Sequence, residues 1–380
     1  MDVQEISSFE ALAGQHAPDW TRIAGLSNAA TVFQTWEWTR AWWQYQGSGK
    51  KLWALIFREN GNVVGFAALF LPLMPTPLRT LRFVGNGGSD YLDILASPGF
   101  EEPVAAAFRH YLWEQRRRWD WIDLQQVKPG AVVLQGVGGD DKGILKQVRA
   151  TLWTGETCPY LPLAETWDAF RASLGKKLRQ NIGYYARALE KQYIVEYRLA
   201  DAQTLDADLD EFFELHQRRW NQRWLPGAFA SRRARAFHTE AARSLLQSGN
   251  LRLHTLTLDG EVRAALYCFH KGKTCYYYLG GFEPSMARLS LGTVLTAHAM
   301  RHSIEKDNAA EFDFLRGNEG YKYRWGALDR YNARLSLTRF GVRPLLLSGG
   351  GRVSLAIEQG LKTWMHRRHG GAGKAAVKNG

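Results

Sequence analysis

The segment Glu311–Gly326, EFDFLRGNEGYKYRWG, gathers several kinds of reactive side chain in one short run. Asp313 and Glu319 are carboxylates that can take up a proton, and Tyr321 and Tyr323 are phenols that can give one. Arg316, Lys322 and Arg324 are cations that can hold or stabilise negative charge. The run begins as a strand, with Phe312 and Phe314 alternating against Asp313, and breaks at Gly317. A buried strand that enters charge and aromatics so abruptly has two readings. It is one wall of a reactive cleft, or it is a salt-bridged loop between two domains, anchored by Trp325, with Arg316 and Glu319 paired to each other. A fully solvated loop rarely interleaves aromatics with charge this closely, which favours the cleft.

The remaining reactive residues are less promising. His298 and His302 lie one helical turn apart, and such a pair can ligate zinc. No HExxH glutamate or third ligand accompanies them, so they read as core or boundary histidines, and no metal is expected. Cys158, Cys268 and Cys275 form no CxxC pair and sit in apolar, strand-like contexts, which reads as buried reduced thiols. The glycine-rich VGNGGSDYLD, Val84–Asp93, is a weak phosphate signal and reads as a turn before a strand near Tyr91–Leu95.

The elements that must carry these residues occur twice. LWALIFRENGNVVGFAALFLP, Leu52–Pro72, reads as two strands joined at Asn60-Gly61, a dipeptide suited to the positive φ angles of a tight hairpin. Leu251–Phe282 repeats the scheme with Asp259-Gly260 at the turn and continues into a third strand, TCYYYLGG. Each hairpin is preceded by helical sequence. Each is followed by a further helix and strand: Pro103–Arg117 and WIDLQQV after the first, Leu291–Glu305 and EFDFL after the second. The pattern predicts a duplicated α/β unit. The clearest single element is one helix over TWDAFRASLGKKLRQNIGYYARALEKQ, with an apolar face of Trp167, Phe170, Leu174, Leu178, Ile182, Tyr185 and Leu189. Its second stripe, Lys176, Gln180, Gly183, Arg187 and Lys191, is either a solvated face or a basic wall toward a phosphate-bearing ligand.

A chain of 380 residues is long enough for two cores. The tryptophans Trp36, Trp38, Trp42 and Trp43 read as core and interdomain packing. The net charge of +12 implies an anionic partner, such as a nucleotide cofactor, an acidic protein, nucleic acid or a membrane surface. The N-terminus lacks a secretory signal pattern, and the longest apolar run is too short and proline-broken to span a bilayer, so a cytoplasmic location is expected. After the glycines at 349–351, Val353, Ile357, Leu361 and Trp364 share a helical face beside Lys362, Arg367 and Arg368. That tail is suited to docking on the body or on an anionic membrane, and the last residues read as disordered.

Taken in order with the duplicated hairpins, SLGKKLRQNIGYYARALEK, SLGTVLTAHAM and FDFLRGNEGYKYRWG resemble the CelD-like, FemAB-related branch of the GNAT acyltransferases, over roughly Phe33 to Phe340. The resemblance implies an α/β fold of two tandem GNAT-like domains, each a mixed, mostly antiparallel sheet flanked by helices. It places an N-terminal domain at 1–157, a working domain at 158–345 and a basic tail at 346–380. In such a domain a thioester donor enters where two parallel strands splay apart. Its pyrophosphate meets backbone N–H groups at the start of the next helix.

Here that start falls in EPSMARLSLGTVLTAH, with Ser290 as N-cap, Gly292 and Thr293 in the first turn, and Arg288 as a phosphate partner. The family's usual signature has an Arg or Gln followed by two closely spaced glycines, and only Gly292 is present. The reaction implied is metal-free transfer of an acyl group from acyl-CoA, or from an acyl carrier protein, to an amine in extracellular polysaccharide or cellulose synthesis. Asp313 and Glu319 are then candidate bases, and Tyr321 and Tyr323 proton donors. Lys322 and Arg316 would hold negative charge or an anionic acceptor, with Lys176 and Arg187 as further substrate contacts. His216, Arg218 and Arg219 would line the acceptor side, and VGNGGSDYLD would face it. Two other readings share the resemblance. One is a FemAB-like transferase fed by aminoacyl-tRNA, although the helical hairpin that tRNA users often insert is not evident. The other is a non-catalytic scaffold in a polysaccharide machine.

Overall fold

The structure, a computed structural model, describes residues 1–73, 78–136, 148–221 and 227–339. The readings made for the basic tail at 346–380 lie outside them. The first half runs β1 (Asp2–Ile6), α1 (Phe9–Leu26), α2 (Trp36–Gln46), β2 (Lys50–Glu59), β3 (Asn62–Pro72), β4 (Thr80–Phe83), β5 (Leu95–Ala96), α3 (Glu101–Glu114), β6 (Trp121–Val127) and β7 (Val148–Thr157). The second continues β8 (Tyr160–Pro162), α4 (Trp167–Ser173), α5 (Lys176–Glu190), β9 (Val195–Leu199), α6 (Leu205–Asn221), α7 (Arg232–Gln247), β10 (Leu251–Leu258) and β11 (Glu261–Lys271). It closes with β12 (Thr274–Phe282), α8 (Leu291–Glu305), β13 (Glu311–Asp313), α9 (Gly320–Tyr323) and β14 (Tyr331–Arg339). Among the described residues no helix is long and apolar enough to cross a membrane.

The duplication is visible strand by strand. One sheet reads β1-β2-β3-β4-β6-β14-β7, and the other, from its far edge, β9-β10-β11-β12-β13-β8. In each, the fourth and fifth strands form the one parallel pair, β4 with β6 and β12 with β13, joined through a crossover helix. Both hairpin turns put two residues at positive φ, Asn60 and Gly61 at 51° and 79°, Asp259 and Gly260 at 52° and 83°. That geometry matches the twist of the flanking strands, and Asn, Asp and Gly tolerate it best. Even the irregularity repeats: the ladder slips between Phe57 and Arg58 in the first hairpin and between Leu256 and Thr257 in the second. In each case the slip falls two pairs in from the turn.

Three expectations need correction. The boundary near Cys158 does separate β7 from β8, but the segment 158–345 is not one domain. Strand β14 returns to the first sheet and pairs with β6 on one side and β7 on the other. The long helix at 167–191 is two helices, because Leu174 is extended and Gly175 begins a new N-terminus. The strand expected at Tyr91–Leu95 shrinks to Leu95–Ala96, since Tyr91 turns the chain at a φ of 53°.

The halves share packing. Trp38 of α2 is fully buried and meets Phe237, Phe269 and Tyr278 edge-on at 5.1, 5.4 and 5.7 Å, while its indole N–H donates to Ser89 Oγ at 2.7 Å. Trp38 is thus interdomain packing, while Trp36, Trp42 and Trp43 pack within the first half against Phe9, Trp20 and Phe70. Trp38→Ala should cost roughly 3–5 kcal/mol, the usual range for emptying a buried aromatic site. Urea unfolding followed by probes in each half should show both halves weakened together, because the cavity lies between them.

Candidate active site

Strands β12 and β13 pair in parallel only through Thr274–Glu311, Cys275–Phe312 and Tyr276–Asp313. Beyond that register they part. β12 runs on to Phe282, whereas the backbone N–H of Phe314 turns to the Pro159 carbonyl at 2.9 Å. A bulge sets Tyr267 opposite Leu279 and Cys268 opposite Tyr277, leaving Tyr278 unpaired at the point of divergence. Bulges re-aim side chains, and the Tyr278 hydroxyl donates across to the Gly88 carbonyl of the first half at 2.8 Å. Phe312 and Phe314 are buried in the core of the second half, as their alternation required.

The next element supplies an anion-facing terminus. After β12 a 3₁₀ turn, Pro284–Leu289, leads into α8 through Ser290 at a φ of 52°. Ser290 occupies the N-cap position, but in the left-handed conformation its side chain caps nothing, which corrects its expected role. Its carbonyl takes the N–H groups of Thr293 and Val294, at 2.9 and 3.2 Å. The N–H groups of Leu291 and Gly292, at the first two positions of the helix, have no intrahelical acceptor. A Cβ on Gly292 would stand 3.4 Å from the Phe282 ring, an ordinary contact, so a side chain fits at this position. Arg288 lies exposed two residues before the cap. Arg219 sits over the Phe282 ring at 4.9 Å, and Arg218 pairs with Glu283 at 3.0 Å. The neighbouring His216 does not line an open surface: it is buried, its Nε2 accepts from Trp220, and burial lowers its pKa to about 4.

The opening segment divides into two parts with different functions. Lys322, expected at the chemistry, is buried and donates to the carbonyls of Leu315, Arg316 and Gly317 at 3.3, 2.8 and 2.9 Å. Its ammonium therefore pins the loop from inside. Arg316, expected to grip an acceptor, is committed to Asp90 of the first half and lies 3.5 Å from Glu156. Asp313, expected as a base, is fully buried. It accepts from the Leu315 N–H at 2.7 Å, the Tyr91 hydroxyl at 2.9 Å and Arg330 at 3.0 Å. Burial pushes its pKa up to about 7 against the pull of Arg330, but no face of the carboxyl is open to an incoming ammonium. Asp313 holds the strained turn at Leu315, whose φ is 54°, and it ties the halves together.

What remains at the mouth is Glu319 and Tyr321. The Glu319 carboxylate is half exposed and 2.9 Å from Lys322. The Tyr321 ring lies 6.4 Å from the Tyr277 ring, and burial holds both phenols well above the ordinary tyrosine range. They are therefore neutral donors, and the Tyr321 ring also stands 6.1 Å from Phe314. Tyr323 lies outward and donates to Asp329 at 2.7 Å. Tyr277, Tyr278, Tyr91 and Arg330 were not among the expected site residues. The three consecutive tyrosines at the end of a strand were the available signal for the first two; nothing local marks Tyr91 or Arg330.

The equivalent place in the first half is closed. Beyond Leu81–Ile122 the gap between β4 and β6 is filled by its own chain, with the Leu92 N–H donating to the Gln126 carbonyl at 2.7 Å. Asp93 accepts from the N–H groups of Val132 and Val133 at 2.6 and 2.9 Å, and α3 opens with Glu101 and Glu102, charges that repel an anion at that terminus. VGNGGSDYLD docks onto the second half through Gly88 to Tyr278 of β12, Tyr91 to Asp313 of β13 and Asp90 to Arg316 in the loop after it. His298 and His302 are boundary histidines, one stacked on Tyr197 at 4.4 Å, the other 3.8 Å from Asp307. Among the described residues no group of His, Cys, Asp or Glu has metal-binding geometry.

A splayed parallel pair followed by a donor-rich helix start is the arrangement of an acyltransferase, and residues 176–323 match the acetyltransferase (GNAT) domain family. The full tandem fold is shared with FemX, at a TM-score of 0.63 and 11% identity, covering 92% of this chain and 99% of that one. It is also shared with a conserved protein of unknown function from Bacteroides thetaiotaomicron, at 0.56 and 10% identity, covering 89% of this chain and 100% of that one. A third similar structure is the C-terminal domain of a putative lysylphosphatidylglycerol synthetase from Agrobacterium fabrum, at 0.54 and 15%, covering 88% and 95%. No curated protein matches the sequence. Residues 176–323 thus carry the match to the acetyltransferase (GNAT) domain family, and the fold of the whole chain is the one it shares with FemX.

Proposed function

We propose that the protein is an N-acyltransferase that moves an acyl group from a thioester donor, acyl-CoA or an acylated carrier, to an amine. The observation that carries this reading is the splay of β12 from β13 beside the free N–H groups of Leu291 and Gly292. The donor's phosphates would lie on that helix start, where unpaired donors and the helix dipole favour anions, with Arg288 alongside. Lys176 and Arg187, exposed on the neighbouring α5, add positive charge to the same approach. The acyl thioester would then reach into the gap toward Tyr277 and Tyr321.

Glu319 takes a proton from the acceptor ammonium, and the freed amine attacks the thioester carbonyl. The carbon–sulfur bond breaks, and the departing thiolate takes up a proton. Neutral phenols at Tyr277 and Tyr321 can stabilise the negative charge that develops. Use in polysaccharide or cellulose synthesis fits the CelD-like resemblance of the segments named above. Aminoacyl-tRNA as donor is the second reading, favoured by the fold shared with FemX.

Gly292→Asp tests the donor site directly. A carboxylate in the first turn suits the helix dipole, so the fold should hold, while the phosphates meet repulsion. Calorimetric titration with coenzyme A should show affinity falling at least ~10-fold, the scale of a lost charge-assisted contact. Unchanged affinity in the folded variant would remove the proposed donor site.

A further inference from the structure

Most arginines in the described structure sit against a carboxylate, as Arg118 does with Glu5, Arg252 with Asp307 and Arg330 with Glu311. The face of α5 is different. Among the described residues, Lys176, Lys177, Arg187 and Lys191 have no carboxylate within ion-pair distance, nor do Arg171 just before it and Arg288 on the adjoining 3₁₀ turn. At 100° per residue, Lys176, Lys177, Tyr184, Arg187 and Lys191 fall on one stripe of the helix, opposite the buried Ile182 and Leu189. All five are exposed, and Tyr184 shows 63% of its surface to solvent in the middle of the cations. The helix packs on α8 and on the 3₁₀ turn, with Ile182 and Leu189 in one core with Leu291 and Leu295, so the stripe faces outward from the element that carries the proposed donor terminus.

We infer that the thioester donor is delivered by a small acidic carrier protein, which docks an acidic helix on this face and passes its phosphopantetheine arm along Ser290 into the splay. The inference rests on the proposed acyl transfer and names the partner that brings the substrate. Free coenzyme A would need positive charge only around its own phosphates. Unpaired cations along the whole of a helix about 22 Å long match a partner of similar length. Tyr184 and Arg187 are residue types enriched at protein-binding surfaces, and the lysines around them supply charge that steers a partner. Complementary charge of this kind sets encounter rate and partner choice, and it weakens with salt.

The test compares one acyl group on two supports, a purified acidic acyl carrier protein and free pantetheine, using the full-length protein. The double reversal Lys177→Glu, Lys191→Glu changes the ends of the face and leaves the helix start untouched. The wild type should bind the acylated carrier, losing at least ~10-fold in affinity between about 50 and about 500 mM salt. The reversal should raise KM for the acylated carrier at least ~10-fold while kcat/KM with acyl-pantetheine stays within about 2-fold, as expected for charges that steer a partner and not the chemistry.

A carrier that does not bind, or that binds and reacts equally well with the reversed face, overturns the inference. So does tight binding of transfer RNA that the same reversal abolishes, since the face would then serve an RNA. Turnover of acyl-pantetheine in either of those cases leaves the acyltransferase reading standing. No turnover of either thioester by the folded protein would sink that reading instead.

Discussion

Below pH 6.5 the wild-type protein should lose folding stability that a His254→Leu variant retains, increasingly as the pH falls. His254 lies on β10 beneath α8, fully buried, and neither ring nitrogen has a hydrogen-bond partner. His302 and His298 of α8 face it at ring separations of 5.2 and 6.0 Å. Arg252 adds positive charge nearby, although it is paired to Asp307 at 2.6 Å. Burial first, and these neighbours second, hold the His254 pKa well below its usual 6.5.

The folded state thus refuses a proton that the unfolded chain accepts. Stability from this group is intact above the unfolded pKa of 6.5. It falls by about 1.4 kcal/mol per pH unit below it, until the folded pKa is reached. Leucine fills a similar volume without a titratable group. Urea denaturation of both proteins across the range gives the difference directly, and parallel pH profiles would show that His254 takes its proton while folded. Because α8 carries the proposed donor terminus at its other end, donor affinity in the wild type should fall over the same pH range.

Glu319→Gln should reduce turnover by ~10²–10⁴-fold, the usual contribution of a general base, with little effect on donor affinity. The substitution keeps size and an acceptor for Lys322 but removes the basic carboxylate. Since Glu319 is half exposed, loss of its charge should cost no more than about 1 kcal/mol. Lys322→Met provides the contrast. It strands three carbonyls that now share one buried ammonium, so that variant should melt well below the wild type. A Glu319→Gln protein with normal turnover and a depressed melting temperature would mean that the whole segment is a clasp and that the base lies elsewhere.

Much of the architecture was legible before any coordinates. The two hairpins follow from Asn60-Gly61 and Asp259-Gly260, since residue type at a two-residue turn decides whether positive φ is tolerated. The start of α8 at Leu291 and the burial of Phe312 and Phe314 follow from period and order along the chain. All of these are local: turn chemistry and periodicity act over a few residues, so sequence alone fixes them.

Tertiary structure decided the rest. Nothing near Asp313 shows that Tyr91 and Arg330 would close over it, or that Arg316 would be claimed by Asp90. Asp, Lys and Arg look alike in sequence whether they face a substrate or cap a turn. Their roles are set by which partners the fold brings within about 3 Å, because a charge leaves water only where such partners replace its hydration. The same holds for β14. Its alternating residues could pair with any free edge, and only the gap between β6 and β7 in the first sheet, where both its edges find ladder partners, sends it back across the boundary at Cys158.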